Sequence, residues 1–367
     1  MRKRPDLYTN YKSESAIFST LTQKIWFVLL LFISLLLPFY LSNYWMLLVT
    51  TSLLIAIASW GLNIVSGMAG QINLAHGVFV GIGAYTSAVI GGVATSSVIG
   101  FELDMIFWLP ISGAVAALIG VIISPVSARL KGLNLGLVTL AIVFIGSHFF
   151  SNLKFITGGA GLGRKAAKLK FLGFDLDSGI SIGNLILEKN DVIYYFSLIL
   201  CILLGIGAKN LTRTKIGRAF SAIRDRDIAA EALGINLFKF KMYAFALSSF
   251  YAGIAGSIIF IISGGVEPGT FSLLYSITFI AIVIIGGVGT VLGPLYGAFF
   301  FTMLPGIIQV ILHALGVADT GFFLNAGEIE RIVFGFFIIF FLVFEPRGIW
   351  GIWFRLRNYF KAWPFSY

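Results

Sequence analysis

The sequence predicts an all-α integral membrane protein with about ten transmembrane helices, and two observations support this fold class. First, 58% of the 367 residues are hydrophobic, the mean hydropathy is +0.95 and only 11% of residues are charged, whereas a soluble domain carries about 25% charged residues. Second, no Asp, Glu, Lys or Arg occurs between Lys24 and Glu102, or between Glu267 and Asp319. A helix needs roughly 20 apolar residues to cross the hydrocarbon core, so these intervals hold about three spans and about two spans.

We place ten spans along the chain. They lie near residues 25–41, 45–66, 72–93, 106–126, 133–152, 192–208, 242–263, 272–287, 291–313 and 327–345. The third span opens with polar Gln71 and Asn73 and contains several glycines, and the eighth ends at Gly286-Gly287-Val288-Gly289. Glycine-broken segments at membrane depth are tolerated only where protein or a water-filled cavity surrounds them. In transporters such segments often border the substrate route.

Ten spans place both termini on one side of the membrane, and the basic residues indicate which side. Lys and Arg collect in cytoplasmic loops. Cytoplasmic termini put most of them inside, in the N-terminal segment 1–24, the loops 127–132 and 209–241, and the C-terminal tail 346–367. The transmembrane domain then covers residues 25–345. The net charge of +10 follows from this bias and does not require a nucleic-acid partner.

One loop does not fit the charge rule. Residues 153–191 are placed outside the membrane, yet they carry six basic residues against four acidic ones. The basic residues are Lys154, Arg164, Lys165, Lys168, Lys170 and Lys189. Moving this loop inside would invert everything on one side of it, so the topology is kept. The alternative is that one neighbouring segment is re-entrant.

Signatures of enzymes and of proton-coupled carriers are missing from the sequence. The nearest approach to a phosphate-binding loop, Gly158 to Gly163, has Arg164 where the lysine is required. The three histidines, His76, His148 and His313, lie on separate spans without metal-site spacing. No acid lies within the first nine spans, although proton carriers usually keep one there. We therefore expect no catalytic site, metal or cofactor. Sodium-coupled carriers with uncharged sites remain possible on this argument.

The loop 209–241 is the best candidate for an entry point of energy. Its residues Ile216 to Leu233 predict a short amphipathic helix, because Ile216, Phe220, Ile223 and Ala230 recur at helical spacing. Gly234 is a plausible stop. Physical reasoning leaves two interpretations equally open. One is a helix that couples to a partner, and the other is a surface helix held by anionic lipid.

Several blocks resemble a known family when they are read in order. The blocks are Gly61 to Asn63, Gly67 to Gly77, Gly81 to Tyr85, Thr157 to Leu162, Ile216 to Ala219, Ala222 to Asp225, Ala229-Ala230, Leu233 to Ile235, Gly286 to Thr290, Gly293-Pro294, Gly297-Ala298 and Pro346 to Gly348. Together they look like the branched-chain amino acid permeases of ATP-binding-cassette (ABC) importers. They cover roughly residues 60 to 350, and they are closer to the longer, LivM-type subunit than to the LivH-type.

The resemblance implies a membrane permease in a bacterial cytoplasmic membrane, with the loop 209–241 docking on an ATPase. The partners it implies are a homologous second permease, two cytoplasmic ATP-binding subunits and an extracytoplasmic substrate-binding protein. Lipid surrounds the chain.

One departure from the family pattern concerns the substrate. The run Leu133 to Ala141 lacks the aromatic residue that the family usually has before its Thr-Leu-Ala. Urea and short-amide permeases belong to the same superfamily, so the substrate stays open between the two.

Three groups of candidate residues follow. Candidates for lining the translocation route are Gln71, Asn73, His76 and Thr139; the alternative is that they hydrogen-bond neighbouring helices. Candidates for coupling to the ATPase are Arg224, Asp225, Glu231 and Gly234. Glycines expected to permit close helix packing are Gly70, Gly77, Gly287 and Gly289. Two other function classes compete with the importer: a stand-alone secondary carrier, and a membrane enzyme such as an acyltransferase using His148 or His313.

Overall fold

The computed structural model describes residues 21–130, 132–161, 163–177, 179–182, 185–314, 326–345 and 347–362, and a helix lies at each of the ten predicted spans. The helices are α1 (Leu21–Tyr40), α2 (Asn43–Leu62), α3 (His76–Ile90), α4 (Met105–Arg129), α5 (Leu133–Asn152), α6 (Lys154–Thr157), α7 (Lys189–Leu211), α8 (Lys215–Ala232), α9 (Leu237–Ser263), α10 (Leu273–Gly286), α11 (Gly293–Ala314), α12 (Ala326–Phe344) and α13 (Gly348–Ala362). A π-helix, Asn63–Met68, extends α2, and a 3₁₀-helix covers Pro268–Thr270. Most of the predicted N-terminal segment, residues 1–20, lies outside the described residues, as do Leu162 and Pro346 of the quoted blocks and 363–367 of the tail.

Seven helices in the described part of the chain are long and apolar enough to cross a membrane. They are Leu21–Tyr40, Asn43–Met68, Met105–Arg129, Leu133–Asn152, Lys189–Leu211, Leu237–Ser263 and Gly293–Ile311. Helices α3 and α10 have 15 and 14 residues, so they rise only about 22 and 21 Å against a hydrocarbon core of about 30 Å. The shorter apolar stretch of α12 is Arg331–Phe341. Ten crossings and cytoplasmic termini therefore stay predictions.

The third helix begins later than the hydropathy pattern predicts. The predicted span starts at residue 72, whereas α3 starts at His76. The chain leaves the π-helix at Gly70, whose φ of +66° is left-handed and favours glycine. The Asn73 side chain then accepts a hydrogen bond from Ala75 N at 3.0 Å. Residues 69–75 are therefore a turn, and Gln71 and Asn73 lie on this turn and not on a helix.

Helix α9 forms the centre of the bundle and packs on α4, α3 and α2. Small residues permit these contacts. A Cβ added at Gly83 of α3 would lie 2.1 Å from the carbonyl oxygen of Gly253 in α9, so the two backbones touch. This is the usual way in which membrane helices approach closely. By contrast, none of the described side chains of α1 is buried, which fits a helix that faces lipid.

Three short ladders interrupt the otherwise helical fold. They are antiparallel pairs of β1 (Arg164–Lys165) with β6 (Gly265–Val266), β2 (Lys170–Phe171) with β3 (Phe174–Asp175), and β4 (Ile180–Ile182) with β5 (Leu185–Leu187). The first ladder joins the loop 153–191 to the loop 264–271 and puts both at the same end of the bundle. The predicted topology requires both loops to lie at one end. The ladder does not show whether that end is the outer one.

Arg164 explains part of the positive charge of that loop. Its guanidinium donates hydrogen bonds to the carbonyl oxygens of Ile156 at 2.6 Å and Ile99 at 2.9 Å, and to that of Ala88. The residue is only 7% exposed. Burial lowers the pKa of Arg164, but an arginine in a protein stays charged. Arg164 therefore holds loops together inside the protein and is a poor indicator of membrane orientation.

We expect Arg164→Gln to lower the thermal midpoint of the detergent-solubilised protein by more than about 5 °C. Each hydrogen bond from a charged donor contributes about 1.5–3 kcal/mol, and one amide cannot replace the forked guanidinium. Thermal unfolding of the purified protein measures the effect. The matched control is Lys165→Gln, because Lys165 is the exposed neighbour in the same strand. Equal midpoints for the two variants would contradict this role of Arg164.

Candidate coupling site and translocation route

Three segments that are far apart in sequence meet at one end of the bundle. They are the π-helix with its following turn, the 287–290 turn between α10 and α11, and helix α8. We call their meeting point the junction and define it by Asn63, Gly67, Gly70, Arg224 and Gly289. The contacts below show that it connects the predicted coupling helix to both of the glycine-rich breaks.

Asn63 joins the two glycine-rich breaks. Its side-chain nitrogen donates to the carbonyl oxygen of Thr290 at 2.8 Å, and its side-chain oxygen accepts from Gly289 N at 2.8 Å. The residue is completely buried. One amide thus satisfies a donor and an acceptor of the 287–290 turn, which has few helical hydrogen bonds of its own. Both bonds are partly buried, and together they fix the position of the turn against the π-helix.

Arg224 joins α8 to both breaks. Its Nη1 donates to the carbonyl oxygen of Gly67 at 3.1 Å. A Cβ added at Gly70 would lie 2.8 Å from Arg224 Cγ, and one added at Gly289 would lie 2.9 Å from Nη1. The arginine therefore runs between the two turns, where only glycines leave room for it. The sequence makes Arg224 a candidate for coupling to the ATPase. Its side chain is 41% exposed while its Nη1 reaches the carbonyl oxygen of Gly67, so it lies between the surface of α8 and the two breaks.

Asp225 lies beside this arginine and faces outward. Its Oδ1 accepts from Arg224 Nε at 3.2 Å, and 68% of its side chain is exposed. An ion pair that is this accessible contributes at most about 1 kcal/mol. Asp225 therefore adds little to the junction itself and remains accessible at the surface of α8.

The 287–290 turn is also held by the start of α13. Gly287 has a φ of +125°, and a Cβ added there would lie 2.7 Å from the carbonyl oxygen of Arg347 and 3.0 Å from Trp350 Cβ. The Trp350 ring stacks on Tyr296 of α11, with centroids 6.4 Å apart. The C-terminal helix therefore lies at the same end of the bundle as α8, and it touches the same turn.

Helix α8 lies within one or two residues of its predicted range. Thr214 caps its start by accepting from Gly217 N at 3.3 Å. Phe220, Ile223 and Ala230 are buried as their spacing predicted. The helix is kinked at Arg226, whose φ and ψ are −157° and 98°. It ends before Gly234, whose φ is +84°.

The outward face of α8 carries apolar residues that sequence reasoning missed. Ile228 is 75% exposed and Leu233 is 82% exposed. They lie off the stripe that packs on the bundle, and the periodicity of that stripe gave no reason to single them out. Ile228 lies on α8 and Leu233 follows directly after its last residue. Exposed large apolar side chains of this kind are candidates for contact with a partner.

An open cleft of about 500 Å³ adjoins this face. It is lined by Ala128, Arg129, Glu231, Gly234, Ile235, Asn236, Leu237 and Phe238. Glu231 and Gly234, two of the predicted coupling residues, therefore face a recess at the end of α8. Arg224 lies elsewhere, at the junction. The four candidates thus occupy two neighbouring but different places.

Two of the four route candidates take part in packing. The ring of His76 is fully buried; its Nε2 lies 2.8 Å from the carbonyl oxygen of Ala58, and the ring lies edge-on to Phe279. Thr139 of α5 accepts from Leu74 N at 3.1 Å and donates to the carbonyl oxygen of Gly136 at 3.0 Å. Thr139 therefore holds the 69–75 turn against α5.

The other two candidates carry buried amide atoms without a partner in the described structure. Gln71 is 4% exposed, and neither its Oε1 nor its Nε2 has a hydrogen bond there. The same holds for Nδ2 of Asn73, which is 1% exposed. A buried polar atom without a partner costs about 1–3 kcal/mol, and such atoms in native proteins usually have a function or bind water. Both lie on the turn that begins at the junction.

Gly77 brings α3 and α10 together. A Cβ added at Gly77 would lie 2.8 Å from Ser276 Oγ, and the backbone nitrogen of Gly77 donates a hydrogen bond to that oxygen at 3.0 Å.

Among the described residues no group of three or more His, Cys, Asp or Glu could hold a metal ion. The junction is built from backbone turns, the Asn63 amide and the Arg224 guanidinium.

These features define a class: a multi-pass, helical membrane protein with broken segments that join a peripheral helix at one end. The chain belongs to the family described as the permease component of branched-chain amino acid transport systems, whose model matches residues 44–342. This match covers most of the transmembrane domain, including the junction.

Named relatives agree with the family. The chain is 28% identical over 345 residues to the high-affinity branched-chain amino acid transport system permease protein LivM of Escherichia coli strain K12, covering 90% of this chain and 76% of the relative. It is 26% identical over 300 residues, 78% and 85% of the two chains, to a probable branched-chain amino acid transport permease LivH of Methanocaldococcus jannaschii. It is 27% identical over 249 residues, 65% and 66% of the two chains, to the autoinducer 2 import permease LsrC of Enterobacter sp. strain 638. No solved structure matches the chain significantly.

Proposed function

We propose that this chain is the membrane permease subunit of an ABC importer that translocates branched-chain amino acids by alternating access. The observation that carries the proposal is the junction, where Arg224 of the peripheral helix contacts both glycine-rich breaks of the transmembrane domain. A helix with these contacts can transmit a displacement from a cytoplasmic subunit to the inner end of the route.

The coupling step assigns different roles to the two faces of α8. Ile228 and Leu233 on the exposed face dock on an ATP-binding subunit, together with Asp225 and Glu231. The side chain of Arg224, which is hydrogen-bonded to the π-helix, then moves with α8 and displaces the two breaks. ATP changes the balance between outward-open and inward-open states only through its different affinity for them. Hydrolysis itself takes place on the separate subunit.

The route begins at the turn that follows the junction. The amide of Gln71 and the Nδ2 of Asn73 lie there without protein partners in the described structure. Their uncharged donors and acceptors suit the passage of a zwitterion with an apolar side chain. His76 and Thr139 hold this turn in place, and selectivity resides chiefly in the binding protein.

The assembly contains a homologous second permease, two cytoplasmic ATP-binding subunits and an extracytoplasmic substrate-binding protein. It resides in the cytoplasmic membrane of a bacterium. All ten apolar helices cross the membrane, and both termini are cytoplasmic. The domain division follows: a cytoplasmic segment 1–24, a transmembrane domain 25–345 with the coupling loop 209–241, and a tail 346–367.

The relatives favour amino acids over other substrates. The LivM match extends over 90% of this chain, whereas the LsrC match extends over 65%. Urea and short amides remain the alternative, because Leu133 to Ala141 lacks the usual aromatic residue. Competition of unlabelled leucine, urea and ribose against labelled leucine uptake separates these substrates.

We expect Ile228→Asp to reduce recovery of the ATP-binding subunit with the tagged chain by at least tenfold. A buried aspartate would replace an apolar contact and lack a partner, which costs several kcal/mol in an interface. The measurement is a pull-down from mild detergent that quantifies the ATPase and the second permease. Ile228→Leu is the control, because it keeps the apolar surface. Wild-type chain recovered alone and active alone in vesicles would contradict the importer and favour a secondary carrier.

A further inference from the structure

The C-terminal helix α13 has two chemically different faces. At 100° per residue, one face carries Ile349, Ile352, Trp353, Leu356, Tyr359 and Phe360. The other carries Arg355, Arg357 and Asn358, with Phe354 as an apolar residue among them. The first turn packs on the bundle through the buried Gly348 and Gly351 and the stacked Trp350. From Ile352 onward the apolar stripe is uncovered. Trp353 is 50% exposed and Phe360 is 71% exposed.

The position of this stripe indicates what covers it. Helix α13 follows α12, whose exposed side chains Phe336, Ile339, Val343 and Phe344 continue to the end of that helix. Such a surface suits lipid acyl chains. The mostly buried Glu345 then forms an ion pair with Arg355, which holds α13 against the end of α12. The stripe therefore begins where the lipid-facing surface of α12 stops.

The charges of the C-terminal segment have one sign. Residues 346–367 contain four basic residues and no Asp or Glu; the basic residues are Arg347, Arg355, Arg357 and Lys361. Trp353 and Tyr359 are of the types that concentrate at membrane–water interfaces. A helix with an apolar face, a basic face and interfacial aromatic residues lies in the plane of the bilayer surface. Anionic headgroups complement its charge, at a gain of roughly fivefold in binding per basic residue.

We propose that α13 lies on the membrane surface at the same end as α8 and binds anionic phospholipid with its basic face. Since the first turn of α13 contacts Gly287, a seated helix also fixes the 287–290 turn, which is part of the junction. The lipid binding does not depend on which solute is carried, so it can fail or hold independently of the proposed function.

The test places a spin label on each face of α13 in the full chain. The background is Cys201→Ala, because the native cysteine is the sole one in the sequence. Labels are attached at Leu356→Cys on the apolar face and at Asn358→Cys on the polar face. The protein is reconstituted in vesicles of phosphatidylcholine with and without phosphatidylglycerol. Collision rates with oxygen, which concentrates in lipid, and with a water-soluble nickel reagent report the location of each label.

With phosphatidylglycerol, we expect the label at 356 to collide with oxygen and to be shielded from nickel, and the label at 358 to show the reverse. The contrast should weaken in pure phosphatidylcholine. The double variant Arg357→Gln with Lys361→Gln should raise the phosphatidylglycerol content needed for this contrast between the labels by about an order of magnitude. Arg357→Lys keeps the charge and should not raise it. Equal nickel exposure of both labels would overturn the proposal. Shielding of the 356 label from both reagents indicates a protein partner and would also overturn the proposal. A contrast that does not depend on lipid charge would overturn the binding of anionic lipid.

Discussion

Replacing Arg224 with alanine is expected to reduce ATP-driven uptake by about ten- to a hundredfold while the ATP-binding subunit stays attached. The guanidinium donates to the carbonyl oxygen of Gly67, and a hydrogen bond from a charged group contributes about 1.5–3 kcal/mol. Without it, movement of α8 no longer displaces the two breaks. The exposed Ile228 and Leu233 are unchanged, so docking persists. Uptake and ATP hydrolysis, measured on the same proteoliposomes, should become uncoupled.

Arg218 provides the matched control for this prediction. It is an exposed arginine on the same helix, and its Nη1 bonds locally to the carbonyl oxygen of Arg213. Arg218→Ala should therefore leave the ratio of uptake to hydrolysis unchanged. Loss of the ATP-binding subunit from the Arg224→Ala protein would show that Arg224 serves docking instead. Unchanged uptake would remove it from coupling altogether.

Asn63→Leu is expected to have the largest effect on the fold of the inner end. Leucine is similar in size but offers no hydrogen bond, so the carbonyl oxygen of Thr290 and the nitrogen of Gly289 both lose their partner. Each unsatisfied buried group costs about 1–3 kcal/mol. The yield of monodisperse protein in detergent and its thermal midpoint should both fall, and uptake should be lost.

Ser59→Ala is the control for this change. Ser59 is one helical turn before Asn63 and fully buried, and its hydroxyl has no hydrogen bond in the described structure. Its removal should therefore change the thermal midpoint little. If Asn63→Leu and Ser59→Ala have the same thermal midpoint, the 287–290 turn does not depend on the Asn63 amide.

The sequence predicted the helical segments well because the signal for them is strong and local. Long runs without charge, such as the one between Lys24 and Glu102, leave few alternatives in a membrane. Boundaries inside such runs were harder to predict. Residues 72–75 are Ile-Asn-Leu-Ala, which reads as the start of a helix, yet α3 begins at His76. The left-handed backbone at Gly70 turns the chain and delays the start of α3. The sequence shows that a glycine is present but not which φ it adopts.

The candidate site was predicted in parts but not as a whole. The glycine-rich breaks and the helix 215–232 were recognised separately, from composition and periodicity. Their meeting through Arg224 and Asn63 depends on tertiary packing across more than 150 residues of chain, which no local pattern encodes. The same limit applies to Arg164, whose positive charge disagrees with the predicted side of loop 153–191. Its guanidinium is bonded to three carbonyl groups, two of which, Ala88 and Ile99, lie before that loop.

Two exposed features needed the structure for a different reason. Ile228 and Leu233 are ordinary apolar residues in a helix, and only their exposure of 75% and 82% marks them. The span count and the Lys and Arg bias place residues 346–367 in a cytoplasmic tail, and the exposed apolar face of α13 is seen only in the structure. In both cases the exposure of apolar side chains in the folded structure, and not their sequence pattern, identifies the candidate interaction surface.

The most direct test of the importer is uptake of labelled leucine into proteoliposomes that contain the complex captured with the tagged chain. We predict uptake that requires ATP on the side of α8 and the substrate-binding protein on the opposite side. Uptake should stop when the ATP-binding subunit is omitted. Leucine uptake by this chain alone, driven by an ion gradient and indifferent to ATP, would contradict the account.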